Sequence, residues 1–289
     1  MTGKDTKFII FAPPIELMMK YNAIALVVAL FSIVACNDRN NDDMLVRYGL
    51  TVPVKTLSLI PDTSLFISPY DFQTMNFRAD GKIINRLFYN PDGSPFNYET
   101  YEYDDKGRVI SYNFYSLEGT YEGGYTYEYD GKVIRKCVAH SPEFEETASW
   151  VNKNDGRHIT ESVFRSEGEV EYTSINKWNR KGTLRDEQTV DADGDPIGTA
   201  HYEYIAEEMP TLIQSEDLEI TIEYNEKLLP IRSEGVAISA VSDLEWIEPE
   251  ENPVTYEYEY DYAGNWIIRA EFRGSPATLT RLIRREIEY

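Results

Sequence analysis

The sequence predicts an all-β protein, a long curled antiparallel sheet of tandem β-hairpins. Three observations predict it. Aromatic and polar residues alternate, as Tyr125, Tyr127 and Tyr129 do with Thr126, Glu128 and Asp130, which is the two-residue period of a half-buried strand. Turn glycines recur at Gly81, Gly107, Gly131, Gly156 and Gly182, spaced 26, 24, 25 and 26. Between them fall Asp92-Gly93, Glu118-Gly119, Glu167-Gly168 and Asp193-Gly194, so each period holds two turns and two extended runs.

The chain opens on a different pattern. Ala23 to Val34 is an apolar run interrupted only by Ser32, preceded by Lys20 and closed by the small Ala35. A membrane span needs about 20 apolar residues, whereas the apolar core of a secretory signal needs only about 7–15. The run is therefore expected to be cleaved. Ile33-Val34-Ala35-Cys36 resembles the lipobox of bacterial lipoproteins. That resemblance implies cleavage before Cys36 and acylation of its thiol and new amino group, each buried methylene contributing about 0.8 kcal/mol to anchoring. Residues 1–35 are then a signal peptide, with Met18 or Met19 as the expected start.

Residues 36–64 read as tether and leading segment. Asn37 to Asp43, NDRNNDD, contains no apolar residue and has nothing to bury against the entropy of ordering. Its acidity resembles the export tag that carries some lipoproteins to the outer face of the outer membrane. Surface display is expected over a periplasmic location.

Removal of residues 1–35 takes Lys and Arg from 28 to 25 and Asp and Glu from 50 to 48, leaving a formal charge of −23. Nucleic acid is excluded as a partner, since a polyanion is repelled by that field. Membrane contact is expected through the lipid anchor alone. With Cys36 acylated, Cys137 is the one remaining thiol, and VIRKCVAHS reads as a strand with that cysteine as a small buried hydrophobe.

The hairpins occupy residues 65–241. YEYDDKGRVI (101–110), YEYDGKVI (127–134) and YEYDYAGNWII (258–268) share one design. Weaker copies are FRADGKII (77–84), VNKNDGRHI (151–159), WNRKGTL (178–184) and YNEKLL (224–229). The aspartate closes the bend by accepting backbone hydrogen bonds from residues just ahead, and the glycine supplies a positive φ that a β-carbon opposes. The aromatic before the bend and the β-branched pair after it face each other across the ladder, at about 0.2–1 kcal/mol per pair. Tyr103, Tyr129, Tyr260 and Trp266 are accordingly read as ladder or core. These units resemble YD repeats, found in RHS proteins and in short bacterial lipoproteins of unassigned role. The resemblance covers roughly Phe77 to Tyr289 and implies fold rather than activity.

Turn spacing gives about 16 strands of roughly 5–10 residues. Helix is expected to be scarce. Residues 205–217 and 242–253 break the pattern and read as loops or short lids, the acidic 242–253 separating the terminal unit at 254–289. The alternative architecture is a small β-propeller, because two units approach the ~50-residue period of a blade.

Chemistry is faint by comparison. Asp191, Asp193 and Asp195 have the spacing that opens a calcium loop, but Pro196 stands where glycine is needed and Tyr202 where a bidentate glutamate is needed. His140, His158 and His201 are isolated, so no zinc site is expected. No nucleophile elbow or phosphate-binding loop is present, and no cofactor is expected. Trp246, in the acidic segment rather than a repeat, is the aromatic expected to meet a ligand. The functional expectation is a non-enzymatic envelope module that binds a glycan or a protein. Its alternatives are a glycan hydrolase using carboxylates on the sheet face and a scaffold that pairs a free sheet edge with another protein.

Overall fold

The computed structural model describes residues 50, 52–65, 71–206, 209–216, 218–237 and 253–289. Eighteen strands run through them: β1 (Thr56–Pro61), β2 (Gln73–Phe77), β3 (Ile83–Tyr89), β4 (Pro95–Tyr103), β5 (Val109–Ser116), β6 (Tyr121–Asp130), β7 (Val133–His140), β8 (Ala148–Asn154) and β9 (Ile159–Ser166) form the first half. β10 (Glu169–Trp178), β11 (Leu184–Asp191), β12 (Pro196–Ala206), β13 (Met209–Ser215), β14 (Leu218–Tyr224), β15 (Pro230–Ala237), β16 (Val254–Tyr260), β17 (Trp266–Arg273) and β18 (Thr278–Glu288) complete it. The described residues contain no helix.

Each strand pairs antiparallel with the next, from Thr56↔Asn76 through to Arg273↔Thr278. β18 then returns to β1, with Leu57↔Ile287 and Leu59↔Arg285 in register. The sheet is a closed up-and-down barrel. This corrects the open curled sheet and the propeller alternative, and raises the expected strand count. The reason lies in residues 56–61: read as part of a leading segment, TLSLIP is the strand that unites both ends of the sheet. A closed ring has no edge, so edge-to-edge pairing with a partner loses its basis. Residues 205–217 are also corrected. They belong mostly to β12 and β13, paired Tyr202↔Ile213, and not to a lid.

Two strands per unit place every tyrosine-aspartate type of turn on one rim, here the tyrosine rim. The intervening turns lie on the other, here the acidic rim. Gly107 shows why glycine recurs: its φ is +80°, and its N–H bonds the Asp104 carbonyl at 3.0 Å. The Asp104 carboxylate accepts from the N–H groups of Lys106 (3.0 Å) and Arg108 (2.8 Å). Beside each such hairpin the ladder slips by one residue, as between Glu128 and Tyr129, and these bulges supply the curvature that closes the ring.

A second contact ties one unit to the next. The hydroxyl of Tyr103 donates to the Ile83 carbonyl at 2.8 Å, that of Tyr129 to Val109 at 2.7 Å, and Nε1 of Trp178 to Ile159 at 2.7 Å. In each case the acceptor follows the turn of the preceding unit. Basic groups of that preceding turn lie over the ring: Arg108 is 4.2 Å from the Tyr129 centroid and Lys227 is 3.8 Å from that of Tyr260.

Opposed residues of a ladder share a face, which assigns the two walls. The inner wall carries Leu57, Met75, Glu99, Cys137, Ser174, Glu187, Tyr202 and Ile283, all buried. The outer wall carries Glu102, Glu128, Lys153, Lys177, Glu203, Glu257 and Glu259, all exposed. A barrel that crosses a bilayer turns an apolar band outward; this outer wall turns charge and water-binding groups outward instead. Leu50 and Val54 pack with Leu57, Met75, Phe77 and Ile83 at the tyrosine-rim end of the seam. Cys137 is buried in β7, as the sequence predicted.

Candidate functional site

The outer wall is indented across β10 to β13. A groove of about 340 Å³ is lined by Ile175, Lys177, Asp186, Gln188, Thr199, His201 and Gln214, among others. Ile175 and Lys177 alternate outward on β10, Asp186 and Gln188 on β11, Thr199 and His201 on β12, because the inward positions between them hold Asn176, Glu187 and Ala200.

At its centre His201 Nδ1 lies 2.7 Å from Asp186 Oδ1, so the imidazole nitrogen donates and the carboxylate accepts. That bond, helped by Arg185, holds Asp186 below the usual carboxylate range. His201 Nε2 is 4.0 Å from Glu203. Among the described residues no hydroxyl or thiol hydrogen-bonds to His201, so the dyad lacks a nucleophile to activate. What it offers is recognition: amide, ammonium and carboxylate groups arranged beside one aliphatic side chain.

The inner wall has different chemistry. Glu187 accepts from the Tyr202 hydroxyl at 3.2 Å, and burial pushes its carboxyl above the ordinary range against the bonds from Ser174 and Tyr202. Burial raises Glu99 likewise, opposed by Arg86 at 3.7 Å and by the Tyr101 hydroxyl at 2.7 Å. It pushes the Tyr172 phenol up to about 12. Near the seam Arg281 pairs with Asp71 and, at 3.7 Å, with Glu271, which also holds Arg273 at 3.0 Å. Such buried groups pair across the strands that carry them.

Cys36 and Trp246 lie outside the described residues. Asp191, Asp193 and Asp195 sit in the β11–β12 turn, where Asp191 Oδ1 accepts from the N–H of Asp193 (3.0 Å) and of Asp195 (2.9 Å). The aspartates thus serve the hairpin, and among the described residues no three His, Cys, Asp or Glu side chains gather as metal ligands. Tyr103, Tyr129, Tyr260 and Trp266 are ladder and core residues, as predicted; Arg285 covers the Trp266 ring at 3.2 Å.

No protein-family model matches the chain, and no curated protein does. Similar solved structures include a porin-like protein from Bacteroides uniformis ATCC 8492, 14% identical with a TM-score of 0.41, covering 82% of this chain and 99% of that one. A porin-like protein from Bacteroides vulgatus ATCC 8482 is 12% identical with a TM-score of 0.37, covering 81% and 97%. TcdB2-TccC3 without its hypervariable C-terminal region is 10% identical with a TM-score of 0.36, covering 75% of this chain and 14% of that one.

The groove was hidden from sequence reasoning by one residue. Val190 pairs with Pro196, but Thr189 pairs with Gly198, so Ile197 is extra and everything beyond it shifts. Without that bulge Asp186 would oppose Ala200 instead of His201. Turn length alone does not reveal such a slip.

Proposed function

We propose that this protein is a bacterial envelope lipoprotein, anchored through Cys36 and displayed on the outer membrane, that binds a neutral, hydroxyl-rich ligand of the glycan class without turning it over. The groove carries this reading. Lys177, Gln188 and Gln214 supply donors, Asp186 and both amides supply acceptors, and Ile175 supplies an apolar edge for a sugar's C–H face. The charged outer wall is compatible with a barrel held in water by a tether, and the repeated turns are read as YD units.

The hydrolase alternative needs one carboxyl held protonated near neutrality beside a second carboxylate. Asp186 is shifted the opposite way, and the acids raised by burial, Glu99 and Glu187, line the inner wall. A glycan-array screen of the full chain, with the same sugars assayed for products, tests the proposal. Binding without product is expected, weakened about fivefold by His201→Ala, since one hydrogen bond contributes about 1 kcal/mol. Reproducible hydrolysis, or binding indifferent to His201→Ala and Gln188→Ala, would overturn it.

A further inference from the structure

We propose that the tyrosine rim is a membrane-facing surface, which seats the barrel on the anionic headgroups of the bilayer that holds its anchor. This rests on the lipid anchor proposed above. The two rims differ in charge in a way the net charge conceals. Exposed basic residues Lys106, Lys132, Arg157, Arg180, Lys181 and Lys227 all stand in turns of the tyrosine rim. The acidic rim exposes Asp92, Glu118, Glu167, Asp193, Asp195 and Glu216, and its described turn residues include no lysine or arginine. Because every unit contributes two strands, each such turn is delivered to the same end, and the difference accumulates around the ring.

Carboxylates also stand on the tyrosine rim, Asp105, Asp130 and Glu226 among them exposed, but others are neutralised or engaged there. Asp80 pairs with Arg78 at 3.1 Å and with Lys82 at 3.6 Å, while Asp155 accepts from the N–H groups of Arg157 and His158. At the far end Glu146 pairs with Lys136 at 3.2 Å and Asp71 with Arg281, but those cations stand on β7 and β18 rather than in the turns. An anionic surface therefore repels one rim and tolerates or attracts the other, over a range of about 8 Å at physiological salt.

The position of the chain's start agrees with this orientation. Leu50 and Val54 are buried against Leu57 and Phe77, and the Lys55 N–H bonds the Glu288 carbonyl at 2.7 Å, so the chain enters the barrel at the tyrosine rim. The described chain thus begins, at Leu50, on the rim whose charge suits the headgroups. A tether by itself permits any tilt; the charge selects one.

The test uses the full acylated chain reconstituted in phosphatidylcholine vesicles with or without phosphatidylglycerol. A dye is attached at Lys181→Cys on one rim or Glu118→Cys on the other, and is read by a headgroup-borne quencher; native Cys137 is buried and stays unlabelled. Several-fold stronger quenching at the Lys181 position is expected with phosphatidylglycerol, falling away at high salt and in the Lys106→Glu, Arg157→Glu, Arg180→Glu triple variant. Equal quenching of both dyes, or a preference that survives the triple reversal, overturns the proposal. Mass analysis of the N-terminal peptide reports the anchor separately. If Cys36 proves unmodified, salt-sensitive co-sedimentation of the chain with phosphatidylglycerol vesicles still supports the rim, and its absence overturns it.

Discussion

The Tyr129 hydroxyl donates to the Val109 carbonyl at 2.7 Å, joining β6 to the start of β5 in the unit before it. The same bond recurs between Tyr103 and Ile83, and between Tyr224 and Pro210 at 2.9 Å. The tyrosine preceding these three bends is thus a clamp between units, a part that Tyr258 takes toward Pro230 in the last unit, and the rings of Tyr103 and Tyr129 are also seats for the previous turn's cation. Tyr129→Phe keeps the ring and loses the clamp. It is expected to cost about 1 kcal/mol in urea unfolding, whereas Tyr262→Phe, at a residue 92% exposed, is expected to cost nothing. Equal midpoints for the two variants would refute the clamp.

Glu187 gives a pH signature of opposite sign to that of the turn aspartates. Burial holds its folded pKa above the ordinary glutamate range, so the folded state keeps a proton that the unfolded chain releases. Stability attributable to Glu187 is therefore full below the pKa of the unfolded chain and is lost as pH rises through the folded pKa. Glu187→Gln should raise the melting temperature near pH 7 and leave it unchanged near pH 4. A variant that is less stable at neutral pH would contradict this.

For Asp104, Asp155 and Asp261 the folded pKa lies below 3.8. Their contribution is present above that value and disappears as pH drops through the folded pKa. Acid unfolding followed by circular dichroism should shift to higher pH in Asp104→Asn, because the amide keeps one acceptor but loses the ion pair to Arg108. An unmoved acid midpoint would mean that the turn carboxylate is dispensable.

Arg281 is the cation shared by Asp71 and Glu271, both nearly inaccessible. Arg281→Met removes the charge while retaining apolar stem, leaving two buried carboxylates short of a partner. Thermal and denaturant unfolding should show a loss of about 3–5 kcal/mol. A loss under about 1 kcal/mol, the range of exposed ion pairs, would show that the cluster is solvated.

Gly124 is a steric prediction. A β-carbon there would lie 2.7 Å from the Tyr112 carbonyl oxygen, a backbone atom fixed in the ladder. Gly124→Ala should cost about 1–3 kcal/mol through overpacking, and amide exchange should quicken in β5 and β6. Unchanged protection in those strands would show that the backbones can separate freely.

The sequence by itself determined the class of fold, the hairpin unit and the residues that build it. Tyr-Asp-x-x-Gly is legible because turn chemistry is local: an acceptor, a positive φ and an aromatic must occur at fixed offsets. Alternation likewise told Tyr125 and Tyr127 from Thr126 and Glu128, since a pleated strand has only two faces. Only the tertiary structure decided closure, because the pairing of Leu57 with Ile287 joins residues from opposite ends of the chain, and neither segment carries a mark of the other. It also decided the groove. One bulge residue, Ile197, sets His201 opposite Asp186, and whether a strand admits an extra residue depends on the curvature of the whole ring rather than on any stretch of letters.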